Sequence, residues 1–294
     1  EQIYLKSEYK GTRENPTIIK SDKKWFASIS NFEDYCAIID YECDWTIIDG
    51  LRLTGSNLGG ILVRSDNNII KNCWILNNTN GIYIHQRIGV SIENNLIEFN
   101  GKSIVDNHGI SGSGSNINIL NNVLRHNGSY GIHLFPRVER LVMINNIIHH
   151  QLSGNGIIAC LDIKEDDSKI YNNTVIEKKR PLFLINTKSD FSLNGKIEIS
   201  NNVFISEKEQ SSVLKKEEYY ILNNNFIFPD IKKDGSNKII TSLNKINSGF
   251  IDPQKNNYLL KSSSPLIGKG KLISNNDKNF WGLNRKIING KVSL

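Results

Sequence analysis

Residues 106–137, DNHGISGSGSNINILNNVLRHNGSYGIHLFPR, contain two phrases that recur along the chain. One is I-x-N-N-x-apolar, here Ile119 to Leu124, and the other is G-I-x-apolar, here Gly131 to Leu134. The first returns as IDGLRL (48–53), IKNCWI (70–75), IENNLI (92–97), MINNII (143–148), IYNNTV (170–175), ISNNVF (199–204) and ILNNNF (221–226). Successive copies begin 22, 22, 27, 24, 27, 29 and 22 residues apart. A period in the twenties built from short apolar phrases marks a solenoid. Leucine-rich repeats would show regularly spaced leucines and a helical return, and neither is present. Ile- and Val-rich phrases broken by Asn and Gly suit a parallel β-helix, an all-β fold of stacked short strands and tight corners. Eight or more coils are expected.

Stacked parallel coils place equivalent residues in columns. Asn72, Asn94, Asn121, Asn145, Asn172, Asn201 and Asn223 form one such column. An inward Asn can bond to its neighbours above and below, so this column is expected to be a ladder. The Asn that follows suits a corner, because Asn tolerates φ > 0. Cys73 replaces that second Asn in one coil and reads as a corner or core thiol. The second phrase gives Ile61, Ile82, Ile110, Ile132, Ile157 and Leu182 as inward positions. Residues between inward positions face out.

Residues 1–45 hold a strand at Ile3–Leu5, a turn around Gly11 and Pro16, the run Thr17–Lys20, and an irregular segment from Trp25 to Tyr41. The repeat is expected to begin at Trp45. The chain opens on EQIYLKS, already a strand, so further structure is expected before it. After Phe228 the repeat ends and Pro229, Gly235, Pro253 and Pro265 punctuate a Lys- and Asn-rich tail. The division expected is 1–228, the β-helix, and 229–294, an irregular C-terminal segment packed on it and covering its open end. Long coils should expel their extra length as loops at 101–107, 151–155 and 186–196, the walls of a groove.

The composition, 38% hydrophobic and 22% charged, is that of a folding chain. No apolar run approaches the roughly 18 residues that span a bilayer. The net charge of +6 suits an acidic polymer. No basic helix, zinc-finger spacing or RNP-type motif accompanies it, which argues against nucleic acid. Cys36, Cys43, Cys73 and Cys160 make no C-x-x-C pair and are expected to be buried thiols, with a Cys36–Cys43 disulfide as the alternative.

The ladder of NN coils, the GT-x-ENP opening (11–16) and the L-x-x-SSP-L-I-G-x-G tail (260–270) resemble secreted right-handed parallel β-helix proteins of the pectin-lyase-like kind, among them polysaccharide lyases and epimerases. The resemblance implies a right-handed coil and a secreted, periplasmic or cell-surface protein. Asp106-Asn107-His108 is similar to the D-P-H region of alginate C5-epimerases, with Asn107 at the proline position. It implies catalytic roles for Asp106 and His108.

The outward positions give Leu62 and Arg64, Tyr83 and His85, Ser111 and Ser113, His133 and Phe135, then Ile158 and Cys160. Arg87 and Arg137 lie just past two of these strands. Adjacent coils stack about 4.8 Å apart, so Tyr83 and His133 should lie roughly 10 Å apart, the scale of a sugar ring and its linkage. Elimination or epimerisation of a uronate needs a base for the proton α to the carboxylate, a cation for the enolate-like charge, and an acid. His108, His133, Tyr83, His85 and Asp106 are the catalytic candidates. Arg87, Arg137, Arg64 and Phe135 are the substrate-binding ones. His126, His149 and His150 fall at corners and read as structural.

Hydrolysis would need two flanking carboxylates, and only Asp106 and Asp162 are near this face. No cofactor motif is present; Glu165-Asp166-Asp167 reads as a solvated loop, with calcium as the alternative. The expected function is elimination on an acidic polysaccharide by a monomer. The alternatives are a glycan-binding or tailspike-like surface module, an epimerase or a hydrolase.

Overall fold

Alternation along each short strand sends one side chain into a shared core and the next outward. Ile61, Ile82, Ile110, Ile132 and Ile157 are all fully buried. They stack in register, Ile61 on Ile82, Ile82 on Ile110, Ile110 on Ile132 and Ile132 on Ile157, with Leu182 next. The chain is thus a parallel β-helix, seen here in a computed structural model. It describes residues 1–101, 107–162, 168–178, 182–186, 197–206, 213–214, 220–228, 238–240, 249–252, 255, 257–264, 266–271, 287–288 and 291–292.

Each coil supplies three strands, one to each of three faces. In the second coil these are Ala37–Ile39, Thr46–Asp49 and Arg52–Thr54. They pair in parallel with Gly59–Val63, Ile69–Lys71 and Trp74–Leu76 of the third coil. They pair on their other side with Ile3–Leu5, Thr17–Lys20 and Ser28–Ile29. The repeat therefore begins one coil earlier than the expected start at Trp45. The first coil hides because its corner, Ser21 to Ala27, is longer than an Asn-Asn corner and carries no NN phrase.

The two asparagines of the NN phrase exchange the roles expected of them. Asn72, Asn94, Asn121, Asn145, Asn172 and Asn201 all have φ between +55° and +59°, so the first Asn makes the corner. The second makes the ladder. Asn95 Nδ2 donates to Asn122 Oδ1 at 3.0 Å, and the chain of bonds continues through Asn146, Asn173, Asn202 and Asn225 at 2.9–3.1 Å. A residue in the left-handed conformation turns the backbone; the extended residue after it is the one whose side chain enters the core. The other Nδ2 hydrogen of Asn122 meets the Ile92 carbonyl at 2.8 Å, so the buried amide is satisfied. Cys73 sits at the end of this ladder, its N–H donating to Asn95 Oδ1 at 2.8 Å. In the last coil Asn224 takes the corner and Asn225 the ladder, so Ile199 pairs with Leu222, one residue later than the expected alignment on Ile221.

A second ladder follows the third face. Asn77, Phe99, His126 and His150 occupy its left-handed corners. Asn78, Asn100, Asn127 and Gln151 follow them into the core, linked Nδ2 to oxygen at 3.0–3.1 Å. Gln151 N–H then meets Glu177 Oε2 at 2.8 Å.

All four cysteines are buried and unpaired, as expected. Burial pushes the Cys73 thiol up to about 12, which makes it a core group. In the tail, Phe250–Asp252 and Asn257–Leu260 form an antiparallel pair. Phe250, Leu266, Tyr258 and Leu260 pack on Ile176, Val203, Ile205 and Phe226, on the outer surface of the third face. The described residues of the tail thus cover this flank of the last coils. No helix among the described residues is long and apolar enough to cross a membrane.

Candidate functional site

Three consecutive rungs of the first face carry the predicted residues other than Arg64, which follows the rung before them. Tyr83 pairs with Ser111, and Ser111 with His133. The register between these rungs breaks in a specific way. Ile84 pairs with Gly112 and Arg87 with Gly114, so His85 and Gln86 bulge on one side while Ser113 stands alone in the middle. On the other side Leu134 pairs with Gly112 and Val138 with Gly114, so Phe135, Pro136 and Arg137 bulge together. Two ridges therefore flank a recessed rung. The recess depends on glycine. Gly112 and Gly114 have φ of +131° and +145°, and a Cβ on them would lie 2.0 Å from the Ile84 carbonyl oxygen and 1.9 Å from that of Arg87. Ser111 and Ser113 form the floor, only 8% and 6% exposed.

One ridge is aromatic. His108 and His133 have ring centroids 4.4 Å apart, and Tyr130 lies 5.2 Å from His108 and 5.1 Å from His133. Phe135, exposed at 56%, stacks on His133 at 6.0 Å. His108 is buried; the Asn80 side chain accepts its backbone N–H at 3.0 Å. Its Nδ1 accepts the Tyr130 N–H in a long bond of 3.4 Å, which puts the neutral ring's proton on Nε2. Burial, with a smaller contribution from His133, pushes His108 down to about 3, so the ring is neutral at pH 7.

The other ridge is cationic and aromatic. His85 lies 6.0 Å from Tyr83 and edge-on to Tyr41 at 6.4 Å. Arg64 and Arg87 both lie over the Tyr41 ring, at 5.5 and 5.8 Å. Arg87 also donates from Nε to the His85 carbonyl at 2.7 Å and sits 4.0 Å from Asp66. Arg64 faces Asp40 at 3.5 Å. Burial pushes the Asp40 carboxyl up, but hydrogen bonds from Tyr4, the Tyr41 backbone and Arg64 outweigh it and hold Asp40 below the usual carboxylate range.

The structure thus brings His108, His133 and Phe135 together on one side of the floor, and Tyr83, His85, Arg64 and Arg87 on the other. Arg137 is in the same bulge as Phe135 and ion-pairs with Glu139. Asp106 and the side chain of Asp162 lie outside the described residues, as do the 165–167 run and all but the first residue of the loop at 186–196. Tyr130, Tyr41, Asp40 and Arg140 escaped the sequence reading. Tyr130 stands in the 106–137 stretch itself, two residues before Ile132, and could have been read as that rung's lead-in. Asp40 and Tyr41 precede the Trp45 start that the NN phrases mark, yet they belong to the second coil. Arg140 bridges the far end of the recess, bonding Asn116 Oδ1 at 2.6 Å and Ser115 Oγ at 2.8 Å. Among the described residues no group of three or more His, Cys, Asp or Glu is arranged to hold a metal ion.

A coil of three parallel faces, internal asparagine ladders and one modified face define a right-handed parallel β-helix protein. The chain belongs to the family described as right handed beta helix region, which matches residues 14–161. Its fold is of the pectin-lyase-like kind. Among solved structures it is similar to pectate lyase Pel9A, with a TM-score of 0.67, 14% identity, and coverage of 95% of this chain and 80% of that chain. At that identity the likeness is one of fold. No curated protein matches the chain in sequence.

Proposed function

We propose that the protein is a carbohydrate-active enzyme that cleaves an acidic, uronate-containing polysaccharide by β-elimination. The observation that carries this reading is the His108–His133 pair facing Tyr83 and Arg87 across the two-serine floor. In a 4-linked uronate, His133 or Tyr83 takes the C5 proton. The C–H electron pair forms the C4=C5 double bond, and the C4–O bond breaks. Arg87 faces the carboxylate whose charge grows as the proton leaves, the role for which a guanidinium is suited. His108, with its proton on Nε2, hydrogen-bonds the departing oxygen, which then takes the proton gained by the base. The pectate lyase fold likeness is consistent with this class of substrate. With such a substrate the protein would work outside the cytoplasm, secreted, periplasmic or at the cell surface, and as a monomer.

A second reading, glycan binding without turnover, is favoured by one observation. His108 is pushed down to about 3, so in the resting site it is a neutral donor and no strong acid. A panel of uronate polysaccharides, read by ultraviolet absorbance and product mass, separates the readings. Elimination gives an unsaturated product lighter by one water than the hydrolytic product. Unchanged mass with inverted C5 stereochemistry would mean epimerisation, and binding without product would leave the glycan-binding module.

A further inference from the structure

The recessed rung of the first face is built to receive something. Ser111 and Ser113 are more than nine-tenths buried, and neither hydroxyl has a hydrogen-bond partner among the described residues. On the adjoining ridge His85 Nδ1 is buried, also with no partner among the described residues. The two serine hydroxyls are not among the buried unpaired atoms, so they reach open space at the bottom of the recess, where water or a ligand can bond them. The walls, Tyr83 and His133, are two rungs apart, about 10 Å. A single ring held between them sits near van der Waals contact with both, in the place that side chains on the middle rung would fill.

The slot runs along the strand, across the solenoid axis. Its own rung closes it at one end, where His108 packs 4.4 Å from His133. Phe135, at 56% exposure, stands on the ridge that a polymer continuing along the axis would have to climb.

We propose that this slot seats the terminal uronate residue of an acidic polysaccharide, with its hydroxyls on Ser111 and Ser113 and the rest of the chain leaving over the Tyr83 side. The proposal rests on the acidic-glycan reading of the same face and adds where the chain end lies. The recess, and not the length of the polymer, then sets affinity.

The test is calorimetric binding of uronate di- and hexasaccharides to the wild-type chain, Ser113→Leu and the double variant Ser111→Ala/Ser113→Ala. The expected result is that di- and hexasaccharide bind within about threefold of each other. Ser113→Leu, which fills the slot, should weaken both at least tenfold, and the double Ala variant should weaken both about five- to tenfold, the scale of lost neutral hydrogen bonds. The double variant removes only hydroxyls, so it still decides the matter if Ser113→Leu fails to fold. Affinity that rises tenfold or more from di- to hexasaccharide, or that neither folded variant changes, overturns the proposal. Binding needs no turnover, so slot and chemistry fail separately. Disaccharide binding sensitive to the variants, with no unsaturated product, keeps the slot and removes the elimination. Unsaturated product appearing first as long oligomers keeps the elimination and removes the terminal slot.

Discussion

His108 and His149 are two histidines of one solenoid in nearly the same physical state. Each is buried, each is pushed down to about 3 chiefly by lost hydration, and each has a neighbouring imidazole that lowers it further. Their surroundings differ. His149 lies under the tail: Tyr258 is 5.1 Å away, its Nδ1 is 3.0 Å from His150 Nδ1, and His126 stands edge-on at 5.9 Å. Beside it Arg125 is held by Glu98 at 2.6 Å, and Glu98 by the Trp74 indole at 2.8 Å. Every neighbour there answers another. Around His108 the serines of the floor have no hydrogen-bond partner among the described residues, while the arginines across the slot lean on Asp40 and Asp66. A perturbed titration alone therefore does not locate a functional site; the pairing of its neighbours does.

The comparison is broken most severely by replacing the working histidines. His133→Ala is expected to lower turnover of a uronate polymer by about 10²–10⁴-fold, the usual weight of a positioned base. His149→Phe should leave turnover within about twofold, although it removes a histidine just as buried. Equal losses in steady-state rates would erase the distinction.

Asn127→Ala strikes both regions at once. Asn127 takes the N–H and Nδ2 of Asn100, at 3.2 and 3.1 Å, and donates to Gln151 at 3.0 Å; it follows His126 and precedes Tyr130 by three residues. Leaving those groups unpaired in the core should cost roughly 2–4 kcal/mol in urea unfolding. The corner residue Asn121, at φ +56°, should accept Gly at a cost below about 1 kcal/mol. The reverse order of sensitivities would contradict the assignment of ladder and corner.

The likeness of the two histidines shows in pH. Both have folded pKa values far below the ordinary 6.5, so the unfolded chain binds the extra protons. The stability they support is complete above pH 6.5 and is lost as pH falls from there toward about 3. Near pH 5 each should account for about 2 kcal/mol of that loss. His108→Phe and His149→Phe should each flatten the pH dependence of the unfolding midpoint between pH 7 and 5, but only His108→Phe should also reduce turnover. A slope unchanged in both would remove the burial argument.

The smallest effect is expected at Tyr258→Phe. Its hydroxyl meets His150 Nδ1 at 3.5 Å, a weak contact, so global stability should move by less than about 1 kcal/mol. Amide exchange within 250–260 should quicken, and turnover should stay put. A loss of activity here would join the two regions that the structure keeps apart.

The inward column was readable because a stacked Ile has one reason to recur. Ile61, Ile82, Ile110, Ile132 and Ile157 needed only the period. The asparagine pair was half readable. Two adjacent Asn announce a corner and a ladder, but which does which depends on the left-handed φ, and that follows from the three-dimensional path. The ladder of Asn78, Asn100, Asn127 and Gln151 was hidden because its corner partners vary, Asn77, Phe99, His126 and His150. The site was legible as a face and illegible as a shape. Ser111 and Ser113 read as outward, but their depth arises from bulges in the rungs on either side, set by the one and two extra residues of His85-Gln86 and Phe135-Pro136-Arg137. The shared seat of Arg64 and Arg87 on Tyr41 was hidden because Tyr41 lies in the second coil, ahead of the Trp45 start that the NN phrases mark.

The central claim is that the His108–His133–Tyr83 face performs elimination on a uronate polymer. It is tested most directly by following ultraviolet absorbance of unsaturated product from a uronate-polysaccharide panel with wild type, His133→Ala and His149→Phe side by side. The account predicts product from wild type and His149→Phe at matching rates and almost none from His133→Ala. Product formed equally by all three proteins, or by none on any uronate polymer, would contradict it.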